Sequence, residues 1–187
     1  MRFFLAIATV LTISAPLPVQ SQPQFQPQSQ VSQTPSTNSS THPDNRRLLE
    51  QGLTAQTAGQ LAQAETAYRA AIQLNQKDSI AYYNLGNVLA EQSKFDEAIA
   101  AYRTAITLNP TNAKAHYNLG YWLSAQGQTQ QAITAYRTAA QLSPFDADTY
   151  YNLSLLLSAQ TTPTATERTE AEVMMNRAIL LNPDYAL

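Results

Sequence analysis

Three copies of one hexapeptide pattern stand 34 residues apart: Tyr82-Tyr83-Asn84-Leu85-Gly86-Asn87, His116-Tyr117-Asn118-Leu119-Gly120-Tyr121 and Tyr150-Tyr151-Asn152-Leu153-Ser154-Leu155. A fixed period of that length leaves a chain little choice, because each copy must be one supersecondary unit and the units must stack to bury their apolar faces. A second motif keeps the same phase: Ala98, Tyr102 and Ala105 recur as Ala132, Tyr136 and Ala139, and Pro110 recurs as Pro144. One step back falls on Gly52, Ala64, Tyr68 and Ala71. One step forward falls on Ala171, Met175, Ala178 and Pro183 once five extra residues are allowed between Gln160 and Ala171. The steps define four units, at 45–78, 79–112, 113–146 and 147–185.

Within a unit the apolar spacing is three and four residues, as in Tyr82, Leu85, Leu89 and then Ala98, Tyr102, Ala105, so each half is predicted to be an amphipathic helix. Gly86 and Ala98 predict a close crossing of the two halves, with Tyr102 filling the space beside it. Gln92-Ser93-Lys94 supplies the turn between them. Asn109-Pro110 ends the second helix, since the residue before proline is pushed out of helical angles, and Asn112 can cap the next. With Leu85-Gly86, Ala98, Tyr102 and Pro110 at this spacing, and Leu119-Gly120, Ala132, Tyr136 and Pro144 repeating it, the sequence resembles the tetratricopeptide repeat family over about three quarters of its length. The resemblance implies an all-α fold, a right-handed α-solenoid of helix-turn-helix repeats. Departures sit at the ends: Gln51 and Gln76 replace the Leu and Pro of the first unit, and Ser154 and Met175 replace the Gly and aromatic of the fourth.

The first segment reads as an address. Arg2, an apolar run from Phe3 to Ile13 and then Ser14-Ala15-Pro16 have the layout of a secretory signal peptide, with a cut after Ser21. The run is shorter than the roughly 20 residues a bilayer-crossing helix needs, which favours export over a permanent anchor. Residues 22–44 hold six Gln, five Ser, four Pro and three Thr and no cluster of large apolar side chains, so they read as a disordered tether. The expected localisation is periplasmic or secreted, with no stable membrane insertion after cleavage.

Little in the sequence points to chemistry. There is no cysteine, which removes disulfides, thiolate metal sites and cysteine nucleophiles, and His42 and His116 are the only imidazoles. His116 takes the repeat position of Tyr82 and Tyr150 and reads as a packed ring. Asp96-Glu97 and Glu167-Arg168-Thr169-Glu170 sit where a second helix starts and read as partners of the helix dipole. No phosphate loop, nucleophile elbow or paired histidines are present. The chain is therefore expected to be non-enzymatic, with no metal, no cofactor and, at a formal charge of -2, no basic surface for nucleic acid.

The family resemblance places the first helices on a concave face. Carried over by position, the stripe along that face holds Tyr83, Asn84 and Asn87 in the second unit, Lys114, Tyr117, Asn118 and Tyr121 in the third, and Asp148, Tyr151 and Asn152 in the fourth. Asn84, Asn118 and Asn152 form a row whose amides could pair with the main chain of an extended peptide, and the Tyr row adds flat contact area. Family members that grip acidic tails use a clamp of two Lys, two Asn and an Arg. Asn87 and Asn118 match its amides, but Tyr83, Asp148 and Asn152 stand where its basic residues belong. The leading expectation is a protein-interaction adaptor that binds a partner peptide or helix in this groove. One alternative is carbohydrate binding on the Tyr rows. Another is self-association through the last helix, where Val173, Met174 and Leu180 replace smaller or more polar residues of the earlier units and no capping helix follows.

Overall fold

In the computed structural model, residues 43–186 are described. The signal-peptide reading, and the tether up to residue 42, lie outside the described residues. Among the described residues eight helices follow one another: α1 (Pro43–Thr57), α2 (Leu61–Leu74), α3 (Ser79–Glu91), α4 (Phe95–Leu108), α5 (Ala113–Ala125), α6 (Thr129–Leu142), α7 (Ala147–Ser158) and α8 (Ala165–Leu181), with a 3-10 turn at Pro183–Ala186. Each unit is one antiparallel pair, and each helix packs on its neighbours in the chain; α1 also touches α3, and α5 touches α7. Helix α1 begins at Pro43, two residues before the boundary drawn from the sequence. Proline suits the first helical position, where its fixed φ is already helical and its missing N–H would have had no partner.

The period dictates the joints. Asp78 caps α3 by accepting from Ile80 and Ala81 N–H at 3.0 and 3.2 Å, and Asn112 caps α5 through Ala115 N–H at 3.1 Å. Gly59, Ser93 and Gly127 hold positive φ at the same place in the turn of their units, a conformation glycine adopts without a Cβ penalty. In the fourth unit Thr164 and Glu167 form a capping box, so the five extra residues become a loop and an added first turn of α8.

The core explains why Gly86 is glycine. Tyr102 is fully buried, and a Cβ on Gly86 would lie 2.7 Å from its ring. Its hydroxyl donates to Asn87 Oδ1 at 2.8 Å. Tyr68 and Tyr136 pack in the same way on Gly52 and Gly120. In the fourth unit both partners change together: Met175 replaces the ring, which leaves room for a Cβ, and Ser154 Oγ sits 3.9 Å from Met175 Sδ.

Polar staples join the units. Asn45 Nδ2 donates to Asp78 Oδ2 at 2.6 Å, and on the outer face Arg69 reaches Glu97 at 3.0 Å and Arg137 reaches Glu170 at 2.7 Å. Glu65 of α2 accepts from Lys94 Nζ and Gln92 Nε2, both at 2.8 Å, and from Arg69. The Lys94 bond above all holds the Glu65 carboxyl down from 4.5 to about 2, against the opposing effect of burial. Its folded value lies below its unfolded one, so this stabilisation is present above about 4.5 and is lost as the pH falls through about 2. Melting temperature is expected to drop across that window, and Glu65→Gln to flatten that part of the profile. An unchanged slope in the variant would show that the staple does not couple the first two units.

Candidate interaction groove

Helices α3, α5 and α7 and the α6–α7 turn come together on one face. A cavity of about 430 Å3 opens there, walled by Tyr83 from α3, by Lys114, Tyr117 and Asn118 from α5, and by Phe145, Asp146 and Asp148 around the start of α7. Five residues of the expected stripe, Tyr83, Lys114, Tyr117, Asn118 and Asp148, thus meet at one cavity. Lys114 is exposed, while Tyr83 and Tyr117 are buried, with only their edges available. Burial raises the Tyr83 and Tyr117 hydroxyl pKa values, and the negative charge of Asp148 adds to the effect at Tyr117.

The asparagine row departs from the expectation. Asn84, Asn87 and Asn118 are buried, and the Asn118 Nδ2 donates at 3.0 Å to Asn87 Oδ1, which also holds Tyr102. Asn152 Nδ2 donates to Tyr117 Oη at 3.1 Å and to the Asp148 carbonyl at 2.9 Å. The amide donors of Asn118 and Asn152 therefore bind one unit to the next and do not form an open ladder. The physical reason is spacing: these amides lie within reach of the preceding inner helix, α3 for Asn118 and α5 for Asn152.

The remaining stripe residues are also engaged. Tyr121 is half-buried with its ring edge-on to Trp122 at 5.0 Å. Tyr151 is covered by Tyr185, whose ring stacks on it at 4.3 Å and whose hydroxyl donates to Asp148. Flat Tyr faces for stacking on a sugar are thus not presented by Tyr83, Tyr117 or Tyr151. Sequence reasoning missed Phe145, which is 78% exposed, and Asp146 and Tyr185. Phe145 stands where other units have Lys77 and Thr111, and that difference was the available signal.

The surface expected at the last helix divides. Met174 packs against the core, whereas Val173 and Leu180 are 53% and 72% exposed. Their repeat equivalents, Thr66, Ala100 and Thr134 for Val173 and Gln73, Thr107 and Gln141 for Leu180, are exposed in every unit, so both lie on the common outer face. Where Ile99 and Ile133 are buried, the fourth unit carries exposed Glu172.

Among the described residues no group of three or more His, Cys, Asp or Glu gathers to hold a metal, and no helix is long and apolar enough to cross a membrane. His116 is half-buried, with Nε2 3.0 Å from the Pro110 carbonyl.

Comparison with known proteins agrees with this architecture. The family model described as TPR repeat matches residues 57–93, 86–126 and 123–160. The crystal structure of MamA is similar at 26% identity and a TM-score of 0.67, over 76% of this chain and 80% of that one. MamA from Desulfovibrio magneticus RS-1 superposes with a TM-score of 0.69 over 78% of this chain and 81% of that one, at 19% identity, and so attests the fold alone. A mutant O-GlcNAc transferase of Thermobaculum terrenum is similar at 26% identity and a TM-score of 0.62, over 80% of this chain but 27% of that one. No curated protein matches the sequence.

Proposed function

Because the chain belongs to the tetratricopeptide repeat family, whose members bind protein partners, we propose that it is a non-enzymatic scaffold outside the cytoplasm that holds an extended segment of its partner in the concave groove. The observation that carries this reading is the cavity shared by Tyr83, Lys114, Tyr117 and Asn118, three of them buried and one exposed, with Phe145 standing free at its rim. A cavity of aromatic edges with a few placed polar groups, walled by three units, fits a side chain anchored between them. The signal-peptide layout of residues 1–21 supports export.

Retention of partners from the exported fraction of the native host tests both parts. Ala113→Trp, which fills the cavity from the start of α5, and Phe145→Ala, which removes the exposed ring at its rim, are expected to lower retention about tenfold or more, since truncating or blocking an anchor costs about 2 kcal/mol. Leu180→Ser on the outer face is expected to leave it unchanged. Equal retention by all three variants would refute groove binding. Mature protein is expected to begin near Gln22, and an intact Met1 in that fraction would refute cleavage.

A second reading, self-association through the outer face of α8, is favoured by the exposure of Val173 and Leu180. Retention of further copies of the chain alone, lost in Leu180→Glu, would support it.

A further inference from the structure

We infer that the cavity between α3, α5 and the α6–α7 turn takes a basic side chain, lysine or arginine, from the partner's extended segment; this deepens the groove reading and rests on it. The charge balance comes first. Two carboxylates, Asp146 and Asp148, wall the cavity against the single ammonium of Lys114. Asp148 also stands where an acidic-tail clamp would have a lysine, so the field met by an entering ligand is reversed at that point.

Asp146 adds an independent observation. It occupies the N-cap of α7 with extended angles, φ -89 and ψ 99, yet its side chain accepts no cap hydrogen bond. Asp78 and Asn112, at the same place in their units, do accept from first-turn amides. The Asp146 carboxylate instead accepts the Thr149 hydroxyl, and burial above all, with the charge of Asp148, raises its pKa in spite of the opposing Lys114 charge. Asn118 faces the same space. It is 4% exposed, its Nδ2 is engaged by Asn87, and its Oδ1 meets no donor among the described residues.

The cavity's two carboxylates thus outnumber its one ammonium, and a guanidinium or ammonium supplies both the missing positive charge and donors only. Asp148 already receives the Tyr185 hydroxyl, but a carboxylate has about four lone-pair sites and can take a second donor. The exposed Phe145 supplies an aromatic ring beside the carboxylates, over whose face a cation is attracted. An acidic side chain would meet Asp146 and Asp148 without a partner beyond Lys114.

The probes are three capped tripeptides, acetyl-Ala-Xaa-Ala-amide, with Xaa arginine, its neutral isostere citrulline, or glutamate. Each is titrated into the 15N-labelled chain, and the backbone amides of Lys114, Phe145 and Asp148 are followed by NMR. The arginine peptide is expected to move these amides and to bind about tenfold tighter than citrulline, because charge-assisted hydrogen bonds are roughly twice as strong as neutral ones. Glutamate is expected to leave them still. Asp146→Asn with Asp148→Asn should erase the preference for arginine over citrulline. Lys114→Gln should strengthen arginine binding several-fold, a gain that damage to the fold would not produce. Equal binding of arginine and citrulline, movement with glutamate, or no movement with any peptide would each overturn the inference. Groove binding is judged separately by the retention of partners in Ala113→Trp and Phe145→Ala, so a scaffold whose capture depends on those positions survives the loss of the basic-side-chain inference.

Discussion

Replacing Tyr102 by alanine is expected to destabilise the fold by about 3–5 kcal/mol, the range for removing a large buried aromatic side chain. The ring is fully buried on Gly86, and its hydroxyl is one of two donors to Asn87 Oδ1. A single-domain protein has roughly 5–15 kcal/mol in all, so this one change takes about a fifth or more and should lower the midpoint of a urea melt sharply. Tyr102→Phe keeps the ring and loses only the hydrogen bond, for a cost of about 0.5–1.5 kcal/mol. A cycle with Gly86→Ala gives the sharper test. In the parent, the new Cβ would sit 2.7 Å from the ring, so the substitution should destabilise despite alanine's better helix propensity. In a Tyr102→Met background it should become neutral or stabilising, because the fourth unit already pairs Met175 with Ser154. Equal effects of Gly86→Ala in both backgrounds would refute the coupling of ring and glycine.

The second large effect is overpacking at the helix crossing. Ala98 and Ala132 are both fully buried, and leucine at either is expected to cost about 1–3 kcal/mol. Ala125, near the end of α5, is exposed, and leucine there should change stability by no more than about 0.5 kcal/mol. Thermal melts of the three variants decide the matter, and equal stabilities would mean that the helical phase is misassigned.

Most of the fold could be read from the chain because the period repeats its own evidence. Tyr82 to Asn87 states a register once, and His116 to Tyr121 states it again 34 residues later, so each helix pair is supported by its copies. The groove was legible only in part, because the same inner-helix positions serve two neighbours. Asn118 looked open on position alone, but its amide is turned to Asn87, and whether it faces solvent or the adjoining unit depends on an interhelical distance that spacing along one helix does not contain. Phe145 and Asp146 lie in a turn, where no periodicity marks a face, and nothing in the chain sets Asp146 apart from Asp78 and Asn112, whose side chains cap their helices as its own does not. The closure of Tyr151 by Tyr185 depends on how the chain bends after α8, which no repeat copy records.

The walls of the cavity belong to three different units: Tyr83 to the second, Lys114 and Tyr117 to the third, Asp148 to the fourth. Since each unit packs chiefly on the next, its width is not fixed by any one rigid body but by two angles in series. The cavity's width is therefore elastic. A small rotation at either joint spreads or narrows the gap between Tyr83 and Asp148, and the hydrogen bonds that run across the joints, Asn118 to Asn87 and Asn152 to Tyr117, set the spring's resting length. A bulky guest would be felt first as strain in those two bonds, and a partner that stretches them would loosen the coil of the whole array from the groove outward.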